Sequence, residues 1–576
     1  MLTKKTVADV IVETLKEVGI KRYYCVPGDS MNEVTTRLDD AGIQFIHTRN
    51  EGAAIFAAGA EAQLTGEITV CAGSAGPGSL HLVNGVHEAS RMNAPMLVFA
   101  THIPSTEIGG KYFQESDLKS IFKDSTCFCE MILNAEQMPR LLNIAIQTAI
   151  AKKGVAVLIF SGDVIQQVAP HQMQKQYIPK YFNPVITPSE TELNSIAKLL
   201  NDSKKIALFC GYGCKEAHDQ VVKLADKLKS PVIHALRGKE FVEYDNPYDV
   251  GMTGFLGAPS GYLAIKECDT LLLLGTCFPY RQFYPEHAKI IQIDIDGENI
   301  GRRVGVDIGA VGDIKPTIEL LLPKLQEKTE RDFLDAALKH YKKSRQNFDK
   351  LATFSTGDTT IHPQYLAKMI DNLANDDTVF SVGTGTPTAW AARYLTMNGK
   401  RRITGSFNNG SIGTAVSQAI GAQSTYPGRQ VVAMCGDGGL AMFLGEFITV
   451  ENFNLPIKII IFNNHSYGFV QLEMMEAGTY SHNTDLKNPN FAKVAEAIGI
   501  KGIFINKPED IESGLKEAFA HDGPVVVDVQ VSSHELIMPP KVEIDQVKGF
   551  ALYASRVILD GDFKTLIDVA KENLFR

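Results

Sequence analysis

Three doubly wound α/β domains, each built on its own parallel sheet and followed at the end by an amphipathic helix, form the architecture this sequence predicts. Apolar, β-branched runs that end in Gly, Asn or Asp turns alternate with helical stretches along most of the chain, the pattern of repeated βαβ units. At 576 residues the chain is too long for one core. Two breaks divide it, a Pro-, Gln- and His-rich stretch after Asp163 and a polar, charged stretch from Leu325 to Asp358. The resulting spans are 1–182, 183–335 and 336–530, with a terminal segment at 531–576.

The first domain opens with MLTKKTVADVIVETLKEVGI, whose apolar positions recur at helical spacing and are broken by Asp and Glu, so it reads as an amphipathic helix rather than a signal peptide. Strand-like runs follow at YYCVPG, FIHTR, ITVCAG, APMLVFA and GVAVLIF. After FIHTR, Glu51 begins an alanine-rich helix, where a carboxylate is favourable against the helix dipole whatever else it does. Pro27-Gly28-Asp29 and Gly76-Pro77-Gly78 are turn signals at strand ends, and Asn84 lies beyond the second.

The middle domain carries KIALFCGYG, PVIHAL, TLLLLG and KIIQIDID. Its strand ends bear Gly211 and Gly213, Arg237, the run Gly251-Met252-Thr253-Gly254, the run Gly275-Thr276-Cys277-Phe278-Pro279 with Arg281, and Asp294. Each is a plain turn by itself. Together they mark the carboxyl ends of parallel strands, where dinucleotides bind.

In the third domain QVVAMCGDGG and LPIKIIIFNNHSYGFV read as strand, crossover helix, strand, so their turns share one sheet edge. Gly438 and Gly439 let the backbone approach a phosphate, and the helix after them turns free N–H groups toward it. Asp437, the side-chain oxygen of Asn464 and a carbonyl near Ser466 could supply three oxygen ligands to magnesium, with diphosphate and water completing an octahedron.

This pairing of Gly-Asp-Gly-Gly with Asn-Asn resembles the diphosphate and magnesium motif of thiamine diphosphate enzymes. The resemblance makes the first domain pyrimidine-binding and the third diphosphate-binding. Thiamine chemistry requires a proton partner for the aminopyrimidine, and a carboxylic acid in an apolar site suits that task; the resemblance gives it to Glu51, with Gly28 and Asn84 in the neighbouring pocket. It places Gly410, Ser411 and Ile412 at the bend of the coenzyme, and Asn464, His465, Ser466, Tyr467, Gly468, Phe469 and Val470 along it. HALRGKEFVEYDNPYDVGMTG is similar to the FAD domain of the pyruvate oxidase and acetolactate synthase branch, which makes FAD the second cofactor.

YFQE at 112–115 and YGFVQLE at 467–473 bear on the substrate. Phe113 and Phe469 would wall a small acyl group, Gln114 would add a polar contact, and Glu473 would stand near the carboxylate of pyruvate or its proton traffic; either aromatic could equally be core. With ATHIPSTEIG, FPYRQFYP and WAARYLTMNGKRR, the chain closely resembles the bacterial flavoprotein pyruvate:quinone oxidoreductases over almost its whole length. That resemblance implies oxidative decarboxylation of pyruvate to acetate, electrons passing through FAD to a membrane quinone, and a homotetramer whose sites form between subunits. A carboligase of the acetolactate synthase kind and an oxygen-dependent, acetyl-phosphate-forming oxidase are the alternatives.

The formal charge of −9 offers no basic field for nucleic acid, and the nine cysteines lack zinc or Cys-x-x-Cys spacing, as expected of free thiols in a reducing compartment. DFKTLIDVAKENLFR puts Phe563, Leu566, Ile567, Ala570, Leu574 and Phe575 on one helical face. Such a helix packs on its own domain or lies on a bilayer; the resemblance favours the second, with the protein cytoplasmic and peripheral on the inner membrane. Asn50 and Gly383 depart from the family, which often has His and Asp there.

Overall fold

The computed structural model describes residues 5–170, 184–355, 358–479, 482–540 and 544–559, together with Ile567, Val569 and Asn573. The first sheet comprises β1 (Arg22–Cys25), β2 (Gln44–His47), β3 (Thr69–Gly73), β4 (Met96–His102), β5 (Phe128–Ile132) and β6 (Val155–Ser161). The middle sheet comprises β7 (Ile206–Cys210), β8 (Val232–His234), β9 (Asp249–Met252), β10 (Thr270–Leu274), β11 (Lys289–Asp294) and β12 (Ile308–Val311). The third holds β13 (Val379–Val382), β14 (Arg402–Gly405), β15 (Val431–Gly436), β16 (Lys458–Asn463), β17 (Lys501–Ile505) and β18 (Val525–Gln530).

Neighbouring strands pair in parallel throughout, as in Val70 opposite Tyr23 and Ile460 opposite Met434. Central strands such as β10 and β16 are buried along their whole length because helices cover both faces of each sheet. The first sheet runs β2-β1-β3-β4-β6-β5 and the third β14-β13-β15-β16-β18-β17, the same topology twice. The middle sheet runs β12-β11-β10-β7-β8-β9, the order of a dinucleotide-binding fold. The sequence gives no clear alternation at β5, a half-exposed edge strand interrupted by Glu130, and its strand was not anticipated.

One helix, Asp332–Leu351, crosses the expected boundary at 335/336. Phe333, Ala337 and Tyr341 pack on the middle domain, whereas Phe348 packs on the third.

The first and third domains share a core. The helix Glu51–Thr65 is buried except at Gln63 and Thr65, as its run of Ala and Gly allows. It lies against the helix Thr414–Thr425, buried from Thr414 to Gln423. This packing of the two helices joins the first and third domains within one chain.

A C-terminal helix is present at Ile544–Leu559, before the stretch anticipated for it. Of the apolar face foreseen at 563–575, only Ile567 is among the described residues, and it is exposed. Among the described residues no helix is long and apolar enough to cross a membrane. All nine cysteines are free.

Candidate functional site

At the first sheet the chain reverses its direction of growth between β1 and β3, and the expected glycines converge there. A Cβ at Gly28 would lie 2.3 Å from Ser74 Cβ, and one at Gly78 would lie 2.4 Å from Ser74 Oγ and 3.1 Å from Glu51 Oε1. Gly76 adopts φ +65° with its back to Gln114, itself at φ +66°. Asn50 caps the helix Glu51–Thr65 by accepting a hydrogen bond from Gly52 N–H at 2.8 Å, which accounts for its tolerance at this position. Glu51 is buried, and its Oε2 lies 2.8 Å from His81 Nδ1. His81 ends the short helix Pro77–His81 that the Gly76-Pro77-Gly78 turn starts.

At the third sheet, β15 and β16 end side by side. The helix Asp437–Met442 starts directly after β15, with Asp437, Gly438 and Gly439 buried in its first turn. A Cβ at Gly438 would meet the Tyr467 ring at 2.5 Å, and one at Gly439 would stand 3.3 Å from Ile412 Cγ1. Gly438 is therefore required where the turn and the Tyr467 segment crowd together, whereas a side chain at Gly439 requires a small shift of the 410–413 loop. Asn464 Oδ1 accepts from Ser466 N–H at 3.2 Å, and a Cβ at Gly468 would fall 2.8 Å from Asn464 Nδ2. His465 (φ +55°) reaches away, its Nε2 2.6 Å from Gln530 Oε1. A Cβ at Gly383 would lie 3.3 Å from Met434 O, so a larger residue there requires a small shift.

Asn488 donates to Asp437 Oδ2 at 2.7 Å. Burial pushes the Asp437 carboxyl up, against the pull of hydrogen bonds from Gly438 and Asn488. A divalent cation would favour its charged form. Among the described residues no three His, Cys, Asp or Glu side chains converge on a point; a metal here would depend on the mixed oxygen set of Asp437, Asn464 and a Ser466 carbonyl. The donor types and the glycine cradle fit magnesium and a diphosphate.

The bend loop joins the two ends. Ser411 N–H donates to Ser406 Oγ at 2.7 Å, and Ser406 Oγ donates to Glu88 Oε2. Ser411 Oγ donates to Asn84 Oδ1 at 2.9 Å. Gly410 stands at φ +73°. Arg49 N–H donates to Glu446 Oε1 at 3.0 Å, tying the start of the Glu51 helix to the segment beyond Asp437. Glu88, Glu446, Asn488 and His81 were not foreseen, because each is defined by a distant partner rather than by a local pattern.

The residues expected at the substrate are less tightly gathered. Phe469 is partly buried against the core of its own domain, Val470 and Glu473 are exposed, and Phe113 is 78% exposed. With Phe113 exposed and Phe469 packed on its own domain, the pair forms no closed apolar wall among the described residues. The helix Gly468–Glu476 instead meets the C-terminal helix, through Met475 against Tyr553 and Val557.

In the middle domain the chain switches sides between β7 and β10. A Cβ at Gly211 would lie 2.4 Å from Gly275 O, and one at Gly213 2.7 Å from Gly275 Cα. Gly251, Gly254 and Gly275 all have positive φ. Met252 and Thr276 are buried beside them, and Thr253 Oγ1 is buried with no hydrogen-bond partner among the described residues. Arg237 stacks on Tyr212 at 4.2 Å and donates to Met92 O, a contact with the first domain. Asp294 Oδ1, at the end of β11, accepts from Asp296 N–H and Asn299 Nδ2. Phe278 is also core, edge-on to Phe209 at 5.2 Å, while Cys277 Sγ accepts from Arg303 and Pro279 and Arg281 are exposed. The strand order, the close glycine backbones and the orphaned Thr253 hydroxyl fit a dinucleotide such as FAD.

Comparison with known proteins agrees with this division. Residues 5–121 match the N-terminal TPP binding domain of thiamine pyrophosphate enzymes, residues 193–321 the central domain and residues 383–529 the C-terminal TPP binding domain. The chain is 36% identical over 559 residues to the putative thiamine pyrophosphate-containing protein YdaP of Bacillus subtilis, covering 96% of each. It is 52% identical over 346 residues to an uncharacterized 42.6 kDa protein of Pseudomonas amyloderamosa, covering 60% of this chain and 87% of that one. It is 27% identical over 577 residues to the chloroplastic acetolactate synthase 1 of Oryza sativa, covering 97% and 88%.

Proposed function

The chain belongs to the thiamine pyrophosphate enzyme family, and from that premise we propose that it oxidatively decarboxylates pyruvate, passing the electrons through FAD to a membrane quinone. Pyruvate, water and quinone become acetate, carbon dioxide and quinol, so two electrons leave the substrate and, with two protons that come from water, reduce the quinone.

When bound, thiamine diphosphate supplies a nucleophilic carbon and an electron sink for loss of carbon dioxide, and FAD supplies a two-electron acceptor. In this reading Glu51 holds and moves a proton at Oε1, facing Gly78. Asp437, Asn464 and the Ser466 carbonyl hold magnesium, and Ile412 props the bend beside Gly439. Gln114, Phe469 and Glu473 orient pyruvate, and Phe113 joins them once a second subunit or a bound ligand covers it. Gly211, Gly213, Gly251 to Gly254, Gly275 to Phe278, Arg237 and Asp294 hold FAD.

The observation that supports bound FAD is the dinucleotide-type middle sheet, linked to the first domain through Arg237 and Met92 O; its redox use follows from the resemblance to the pyruvate oxidase branch. Peripheral attachment to the inner membrane, through the C-terminal segment of a homotetramer, completes the proposal. The C-terminal helix seated on the Phe469 and Glu473 helix supports a terminal segment that works with the site. A carboligase is the second reading, favoured by the long match to acetolactate synthase.

Anaerobic mixing of enzyme, thiamine diphosphate, magnesium and FAD with pyruvate separates the two. Bleaching of the flavin absorbance with formation of acetate is the expected result. An unchanged flavin with formation of acetolactate would overturn it.

A further inference from the structure

Glu51 is a buried acid, and a buried acid that must gain and lose a proton in each turnover needs a route to water. Its two oxygens face different ways. Oε1 stands over Gly78, where the missing side chain leaves it uncovered, and Oε2 is engaged by His81 Nδ1 at 2.8 Å. The Glu51 side chain is 11% exposed, whereas that of His81 is 53% exposed. One imidazole nitrogen therefore touches the acid while the ring reaches solvent.

The Cys25 and Cys71 thiols also feel the Glu51 carboxyl. Both are buried, and burial keeps both protonated. Neither leads to the surface. Among the described residues His81 is the titratable side chain that joins Glu51 to water. The Gly76-Pro77-Gly78 turn fixes it there by starting the helix that His81 ends, so one turn provides both the uncovered Oε1 and the partner of Oε2.

We propose that His81 is a positioning residue that passes protons between solvent and Glu51. The imidazole takes a proton at Nε2 from water or buffer and gives its Nδ1 proton to Glu51 Oε2; the reverse sequence discharges the acid. No bond other than N–H and O–H forms or breaks, and no electron moves. The inference rests on the proposed role of Glu51 as proton partner of the coenzyme.

The test is hydrogen–deuterium exchange at the reactive thiazolium carbon of bound thiamine diphosphate, with magnesium, in the wild type and in H81A, H81Q and E51Q. Coenzyme affinity of each protein is measured separately by quenching of Trp390, the single tryptophan. His81→Ala is expected to slow exchange by about tenfold or more with affinity little changed, and added imidazole to restore it. His81→Gln, which can keep a hydrogen bond to Glu51 but cannot relay, is expected to stay slow.

Wild-type exchange in either His81 variant, or slow exchange in H81A that imidazole does not restore, would overturn the relay. Loss of folding in H81A leaves H81Q to decide in the same way. Wild-type exchange in E51Q would instead overturn the role of Glu51 itself, so the two failures are distinguishable.

Discussion

Asn488 donates one amide hydrogen to Asp437 Oδ2 at 2.7 Å and another to Asn463 Oδ1 at 3.0 Å. Asn463 Nδ2 in turn donates to Asp528 Oδ1 at 2.9 Å, and Asp528 Oδ2 accepts from Phe491 N–H. The carboxylate proposed to hold magnesium is thus oriented by a chain of hydrogen bonds that ends in the backbone of the neighbouring helix.

Replacing Asn488 by Ala should free Asp437 to rotate while leaving every proposed ligand in place. Partners that orient metal ligands are worth about 10- to 100-fold in affinity. The expected outcome is magnesium-dependent coenzyme binding weakened by about tenfold, read as quenching of Trp390. That residue is buried in the helix Thr386–Tyr394, whose first turn approaches Gly468 and Gly436. Unchanged affinity would make Asn488 an ordinary buried amide.

Glu88 predicts a pH dependence. Its Oε1 is buried without a partner, and burial pushes the carboxyl up from 4.5 to about 7 despite the Ser406 hydrogen bond and the nearby Arg237 charge. The folded state holds this proton more tightly than the unfolded state does. The resulting stability is fully present below pH 4.5 and is lost as pH rises through about 7. E88Q, which cannot ionise, should match the wild type near pH 5 and exceed it at pH 8 by on the order of 2–3 kcal/mol, measured by denaturant titration. Equal stability at both values would show that Glu88 is not held protonated by burial.

Much of this was legible in the sequence because the relevant signals are local. The strands announce themselves as apolar runs, and the turns at Gly28, Gly76, Gly211, Gly275 and Gly438 announce close backbone approach, which the packed backbones and side chains around them require. Asp437 and Asn464 lie one crossover apart, a spacing the strand–helix–strand pattern itself sets. His81 and Glu51 are 30 residues apart, Asn488 and Asp437 51 apart, and Ser406 and Glu88 318 apart. No periodicity or turn rule connects such positions; only the folded chain does. A terminal amphipathic helix was legible as a tendency, but its spacing pointed to 563–575, almost all outside the described residues, whereas the described helix spans Ile544–Leu559.

The joint between the first and third domains makes a third prediction. Gly421, in the helix Thr414–Thr425, faces the Ala57 carbonyl so closely that a Cβ would lie 2.0 Å from its oxygen. The obstacle is backbone within a buried helix and has no rotamer by which to yield. G421A should therefore separate the two helices, at a cost of about 1–3 kcal/mol. Because the same helix follows the bend loop, coenzyme binding should weaken with it. A melting curve indistinguishable from wild type would show that the helices slide freely.

The C-terminal helix rests on the helix Gly468–Glu476 through a small apolar cluster, and that makes it separable. Val557 and Tyr553 are buried against Met475, with Leu536, Phe550 and Val569 around them. Arg393 also donates to Met538 O at 2.7 Å and to Leu256 O at 3.0 Å, so the segment leading to the helix is fastened to the third and middle domains together. An aspartate at position 557 would place an unpaired charge in the small apolar cluster, a penalty large enough to release the helix while leaving the three sheets intact. V557D should show fast amide exchange across Ile544–Leu559 and increased protease sensitivity there, with unchanged exchange in β15 and β16. Protection equal to wild type would mean that the helix is held by contacts other than the Met475 cluster.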